Sequence, residues 1–186
     1  MAAPDFRKVV RDTFKAALSA ETDGFNAQLA AIASDYDVNP FSIDWATNSE
    51  NFIQSYIAPE KVDVSGLIKF PGAVLYTSRG VDDNKGPKGT RWGGQILAHF
   101  DVYLRFRALD DPQWDGNQIP ESADTESMAD AVDVSVVAAV RAASSNFQTA
   151  GLILAGINSS REPVQQFGDG YGQRLAFTFG INLGVT

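Results

Sequence analysis

The chain of 186 residues contains no cysteine, a single histidine and only two methionines. The lack of cysteine excludes a disulfide framework, a thiolate metal site and a thiol nucleophile. Any histidine-based triad or metal cluster has to be built around His99. The sequence also lacks an apolar run approaching the ~20 residues of a membrane span, and its N-terminus has no export signal. We therefore expect a protein that is neither inserted into a membrane nor exported.

Basic residues are outnumbered: 15 Lys and Arg stand against 23 Asp and Glu, which gives a net charge of -8. Binding to the phosphate backbone of nucleic acid depends on clustered Lys and Arg that displace counterions. The excess of acidic residues therefore argues against a nucleic-acid-binding protein. An acidic surface suits a passage along which DNA slides without sticking, although acidity that serves only solubility is the simpler interpretation.

The N-terminal part carries the spacing of an amphipathic helix. Apolar side chains recur three and four residues apart at Phe6, Val10, Phe14, Ala17 and Leu18. Asp23-Gly24 interrupts the pattern, which resumes at Phe25, Leu29, Ile32, Ala33 and Tyr36. The sequence therefore predicts two helices, or one bent helix, ending before Pro40.

A later helix is predicted from about residue 121 to about residue 144. Ser122 is its expected N-cap, and Asp124 and Glu126 lie in the first turn, where carboxylates favour the helix dipole. Its core-facing stripe consists of Met128, Val132, Val136, Ala139, Val140 and Ala143.

Strands are predicted where apolar and polar residues alternate. Residues 73–78 and residues 95–109 predict the two strands of a long hairpin, and residues 174–183 predict a closing strand. Residues 41–45 and 152–154 are shorter strand candidates, and residues 62–64 and 67–70 have an extended character. The predicted fold is α+β in one domain over residues 1–186: a mainly antiparallel sheet with a long hairpin, packed by the N-terminal helical segment and the second helix.

Alternation along residues 95–109 places His99, Asp101, Tyr103, Arg105 and Arg107 on one face. We interpret His99 as a surface or half-buried strand residue without a local partner at metal-ligand spacing. Asp101 and the pair Asp110-Asp111 show no sign of converging into an acid–base pair. The sequence therefore assigns no catalytic residue, no metal ligand and no cofactor.

The glycine-containing segment 80–90 does not match a phosphate-binding loop, because no Gly-Lys-Ser/Thr sequence and no helix follow at the required places. We expect a mobile hairpin loop at about residues 81–94. A solvated hairpin tip is the simpler interpretation, and a segment that orders on contact with a partner is the alternative hypothesis. Its candidate interface residues are Asp82, Asp83, Lys85, Lys88, Arg91 and Trp92.

Arg105 and Arg107 are also candidate interface residues, flanking Tyr103 on one strand face. They can pair with acidic residues of the same sheet or of a neighbouring subunit, and internal pairing is the simpler interpretation. A calcium loop at residues 35–46 is rejected, since Pro40 and Ala46 replace the required glycine and glutamate.

The order of these elements resembles the tail terminator (tail-to-head joining) proteins of long-tailed bacteriophages. The resemblance covers residues 5–185 and rests on the hairpin of residues 73–109, the helix of residues 121–144 and the terminal run of residues 170–179. It is architectural and carries no functional residue over by identity.

The resemblance implies a structural protein of the virion tail or neck, assembled in the host cytoplasm. Such a subunit forms a homo-oligomeric ring, expected to be hexameric, which caps the tail tube, ends its polymerisation and joins it to head–tail connector proteins. DNA passes through without specific binding. In this picture residues 82–94 contact a neighbouring subunit or the tail tube protein.

Two alternatives remain open at the sequence level. The chain can be another neck or tail tube subunit, since these also join rings through sheets with long loops. It can instead be a small-ligand-binding domain or hydrolase-like enzyme with a pocket between sheet and helix, using Asp101, Tyr103 and Arg105.

Overall fold

A computed structural model describes residues 5–46, 49–55, 69, 71–79, 95–108, 122–167 and 170–183. For residues 79, 105–108, 122–125, 166–167, 170–171 and 183 only the backbone is described. The elements in chain order are α1 (Phe6–Leu18), α2 (Phe25–Ile32), β1 (Phe52–Gln54), β2 (Gly72–Arg79), β3 (Ile96–Ala108), α3 (Ser122–Ala142), α4 (Ser144–Thr149), β4 (Leu152–Arg161), β5 (Gln165–Phe167) and β6 (Gly170–Leu183).

The strands form one mainly antiparallel sheet in the order β1-β2-β3-β6-β4, and β5 also pairs with β6. Only β1 and β2 run parallel among the described pairs. Because β3 occupies one side of β6, β4 and β5 lie one after the other along its other side. The predicted α+β fold with a long hairpin, β2 with β3, is confirmed.

The core lies between the helices and one face of this sheet. The Phe14 ring of α1 has its centroid 4.8 Å from that of Phe147 in α4 and 4.9 Å from that of Phe179 in β6. The predicted apolar faces are confirmed, since the following strand residues are buried: Ile96, Ala98, Phe100, Val102, Leu104, Leu175, Phe177, Phe179 and Ile181. Burial of each such phenylalanine contributes about 1.5–3 kcal/mol to folding.

The predicted break at Asp23-Gly24 separates α1 from α2. The Asp5 carboxylate caps α1 by accepting hydrogen bonds from the backbone N–H groups of Arg7 and Lys8 at 3.1 and 3.3 Å. Gly24 precedes α2, and a Cβ at this position would collide with the backbone of Ala20. α1 ends at Leu18 and α2 begins at Phe25, so the segment contains two helices and not one bent helix.

The predicted strand at residues 41–45 is wrong. The backbone N–H of Ile43 donates to the Asn26 side-chain oxygen at 2.9 Å, and the Asn26 amide donates to the Ile43 carbonyl at 2.9 Å. In the same way, the backbone N–H of Asp44 donates to the Asn51 side-chain oxygen, and the Asn51 amide donates to the Ser42 carbonyl. Side-chain amides thus satisfy the polar groups that a neighbouring strand would otherwise have to satisfy.

Other boundaries also differ from the sequence prediction. The later helix ends at Ala142, and the separate helix α4 follows and buries Phe147. The short strand predicted at residues 152–154 is the ten-residue β4, while β1 and β5 were not predicted as strands. Short strands lack a full alternation pattern, and β4 contains Gly, Asn and Ser, which are poor strand formers, so pairing with β6 determines its length.

Part of the predicted extended segments, residues 62–64, lies outside the described residues, and of residues 67–70 only Lys69 is described. No helix in the described ranges has the length and apolar character needed to cross a membrane.

Candidate functional site

The predicted interface residues of the β2–β3 connection lie outside the described residues: Asp82, Asp83, Lys85, Lys88, Arg91 and Trp92. Arg105 and Arg107 lie in β3, where their backbones pair with Gly172 and Tyr171 of β6. The register shifts between them. The face on which the side chains of Arg105 and Arg107 lie stays a prediction, since only their backbones are described.

Polar and ionisable side chains of β2, β3 and β6 lie together on the sheet face opposite the helices. Cross-strand pairing aligns Tyr76 of β2 with His99 of β3 and His99 with Thr178 of β6. In the same way Tyr103 of β3 lies opposite Arg174 of β6. We call this set the polar sheet face: Tyr76, Ser78, His99, Asp101, Tyr103, Arg174 and Thr178.

His99 makes hydrogen bonds through both nitrogens of its ring, to hydroxyl groups on the two neighbouring strands. Its Nε2 lies 2.8 Å from Ser78 Oγ, and its Nδ1 lies 3.1 Å from Thr178 Oγ1. The Tyr76 ring stacks on the imidazole, with 4.5 Å between centroids and 9° between planes. The imidazole is therefore fixed in position and orientation by three neighbouring side chains on β2 and β6.

This arrangement shares one feature with serine hydrolases, a serine hydroxyl within hydrogen-bonding distance of an imidazole. It differs at the other nitrogen, where a triad has a carboxylate that stabilises the imidazolium and this chain has the Thr178 hydroxyl. The neighbouring carboxylate of Asp101 is directed to Arg174 instead. The geometry thus describes a hydrogen-bonded cross-strand network that holds β2, β3 and β6 in register.

An ion-paired group adjoins the histidine. Asp101, with 1% of its surface exposed, accepts hydrogen bonds at one oxygen from Arg174 Nη2 at 2.8 Å and Nε at 3.2 Å. Arg174 Nη1 donates to Glu162 Oε1 at 2.8 Å. The Glu162 backbone N–H also donates to the Arg174 carbonyl. One guanidinium therefore joins β3, β6 and the segment between β4 and β5.

The environment changes the proton affinities of two members of the polar sheet face. Burial raises the pKa of Tyr103 well above its usual value of 10.0, and the Asp101 charge raises it further. Burial alone would lower the pKa of Arg174, but the Asp101 carboxylate, with smaller contributions from Tyr103 and Glu162, outweighs it and raises that pKa. Tyr103 is therefore neutral and Arg174 charged throughout the physiological range.

Two residues of the polar sheet face, Asp101 and Tyr103, were candidate site residues in the sequence, but their partner Arg174 was not. Asp101 and Tyr103 were placed with Arg105 in the alternative ligand pocket, yet the arginine that pairs with Asp101 is Arg174. Aligning the predicted strands β3 and β6 residue by residue would have brought Arg174 beside Tyr103. The missing signal was the register, which neither strand shows by itself.

A second feature is the outer edge of the sheet along β4. Most of its residues after Leu152 have exposed side chains, and Ile153 has 55% of its surface exposed. The strand carries no charge from Leu152 to Ser160. A register shift between Leu154 and Gly156 interrupts its pairing with β6.

Arg161, the single charged residue of β4, is directed towards α3. Its Nη2 contacts Asp130 Oδ1 at 2.5 Å and also Asp133, while its Nε donates to Asp133 Oδ2 at 3.0 Å. Hydrogen bonds and charges of both aspartates keep the pKa of Arg161 above its usual value, although burial acts in the opposite direction. The two aspartates thus tie the guanidinium to α3 beside the end of the β4 edge.

Within the described part of the chain, no group of three or more His, Asp or Glu residues is placed to hold a metal ion. No protein-family model matches the sequence, and a search of curated proteins finds no significant match.

Proposed function

We propose that this chain is a structural virion assembly protein, a ring-forming tail terminator that caps the tail tube and joins it to the head–tail connector. Its partners in this role are further copies of itself, expected to form a hexameric ring, the tail tube protein and the connector proteins. The protein would reside in the tail or neck of the virion.

The observation that carries the proposal is the order of the elements along the chain. The β2–β3 hairpin comes first, α3 follows, and the strands β4, β5 and β6 close the same sheet. The resemblance to tail terminators rests on the hairpin, α3 and the terminal run in β6. Because the proposal rests on the fold, assembly is the property that tests it.

The physical character of the chain agrees with such a role. The helices and one face of the sheet enclose a continuous apolar core, as a folded assembly subunit requires. The net charge of -8 disfavours adhesion to the DNA phosphates that would pass through the ring.

Electron microscopy of the purified protein, alone and mixed with purified tail tubes, tests the proposal. A terminator forms single closed rings and is found at one end of each tube, and tubes mixed with it stop growing. Open-ended stacks of this chain alone would instead identify a tube subunit. Particles that neither form rings nor bind tube ends would contradict an assembly role of either kind.

A further inference from the structure

The outer edge of β4 offers main-chain groups for pairing with another strand. β6 occupies the inner edge of β4 from Leu152 to Arg161. Within the described residues, no strand pairs with the outer edge. A strand at a sheet edge presents alternate N–H and C=O groups outward, and these groups readily pair with a strand from another chain.

Proteins that keep such an edge free usually protect it with charged residues or proline. β4 has neither from Leu152 to Ser160, and its interruption near Ala155 leaves an unbroken paired run from Gly156 to Arg161. Arg161, at the end of the strand, is directed to α3 by ion pairs with Asp130 and Asp133. Small side chains at Gly156, Ser159 and Ser160 permit a close approach of a second backbone.

The charge distribution favours a second copy of this chain as the occupant. Two copies that each carry a net charge of -8 repel one another, so a contact between them forms more readily at a strip without negative side chains than at an acidic surface. The β4 edge is such a strip from Leu152 to Ser160, and exposed Ile153 adds an apolar contact beside it. A strongly basic partner would gain no charge pairing from this uncharged strip.

We propose that the outer edge of β4 is a subunit–subunit contact at which a second copy adds a strand to this sheet. The inference rests on the proposed function, because a ring requires contacts between copies. In a closed ring the contact is head-to-tail, so the neighbour supplies a segment other than its own β4. The main-chain hydrogen bonds supply affinity, and the pattern of side chains along the strand supplies register.

The test compares two double variants by sedimentation velocity over a wide concentration range. The edge variant, Asn158→Lys with Ser160→Lys, places lysines on exposed positions of β4. The control variant, Ser34→Lys with Asn39→Lys, replaces the same residue types at exposed positions of the turn after α2. Both variants change the net charge equally, so a general charge effect on association cancels.

We expect the wild type and the control to assemble alike, and the edge variant to need at least about tenfold higher concentration for half assembly. Equal assembly of the edge variant would overturn the role of β4 while leaving the assembly proposal intact. A wild type and a control that both stay monomeric throughout would overturn both.

Hydrogen exchange on the wild type provides a second measurement that does not depend on how the variants fold. The outward-facing amides of residues 152–161 should exchange at least about tenfold more slowly in the assembled protein than in the dissociated protein, because they become paired. Amides of α4, at residues 144–149, serve as the internal comparison. Unchanged exchange along β4 on assembly would contradict the proposed contact.

Discussion

The carboxylate of Asp101 in β3 and the guanidinium of Arg174 in β6 form an ion pair at 2.8 Å on the sheet face opposite the helices. Asp101 has 1% of its surface exposed, whereas the Arg174 side chain is 20% exposed. Burial of a carboxylate is costly unless a charged partner and hydrogen bonds compensate for lost hydration. The pair therefore couples the stability of β3 to that of β6.

Replacing Arg174 by methionine should lower the free energy of unfolding by about 2–3 kcal/mol, because the Asp101 carboxylate loses its guanidinium partner. This is less than the ~3–5 kcal/mol typical of a fully buried pair, since Arg174 is partly exposed to water. Urea unfolding followed by circular dichroism measures the change.

Two further variants determine whether the loss comes from this pair. Glu162→Gln removes the other carboxylate that contacts Arg174, and because Glu162 is more exposed we expect a loss below about 1 kcal/mol. In a double-mutant cycle with Asp101→Asn, Arg174→Met should cost less than it does in the wild type. Additive losses would show that Asp101 and Arg174 do not depend on each other.

Tyr103 should make stability fall at alkaline pH. In the unfolded chain its phenol ionises near pH 10.0, but burial and the Asp101 charge keep it protonated to higher pH in the folded protein. Above pH 10 the unfolded state therefore binds fewer protons, and rising pH favours unfolding by up to about 1.4 kcal/mol per pH unit. The contribution is fully present below pH 10.

The measurement is urea unfolding of the wild type and Tyr103→Phe between pH 8 and pH 11. The variant should lose stability less steeply above pH 10, whatever its stability at pH 8. Parallel curves for the two proteins would show that the pKa of Tyr103 is not raised on folding.

Phe14 should be the most sensitive position of α1, since its ring lies against Phe147 and Phe179. Phe14→Ala should cost about 3–5 kcal/mol, the range for truncating a buried phenylalanine. Phe6 is a matched control on the same helix, with 43% of its surface exposed, and Phe6→Ala should cost less than about 1 kcal/mol. Similar losses at both positions would contradict the packing of α1 on the sheet.

Segments with a strong local pattern were predicted as the correct element. The structure of segments that depend on distant partners was not predicted. Alternation around Phe100 and Phe177 was sufficient to predict β3 and β6, because one face of each strand is buried against the helices. The segment at Ile43 alternates too, but Asn26 satisfies its backbone groups, and no local pattern reveals that distant contact. The partners of His99 and Asp101 were missed for the same reason, since cross-strand register decides them.

Deleting residues 81–90 should leave the fold intact and weaken assembly or docking to a partner. Arg79 and Ile96 are cross-strand partners, and the six residues left between them suffice to close a hairpin. Thermal unfolding checks the fold, and sedimentation velocity checks assembly. A deletion variant that assembles and docks like the wild type would remove the role predicted for this loop and its residues Asp82, Asp83, Lys85 and Lys88.

Light scattering during size-exclusion chromatography, across a wide concentration range, measures the molar mass of the purified protein and shows whether the chain forms a ring. We expect a discrete species of about 120 kDa, six times the 20.0 kDa subunit, that keeps its mass as concentration rises. A protein that remains a 20.0 kDa monomer at every concentration would contradict the claim that this chain assembles into a ring.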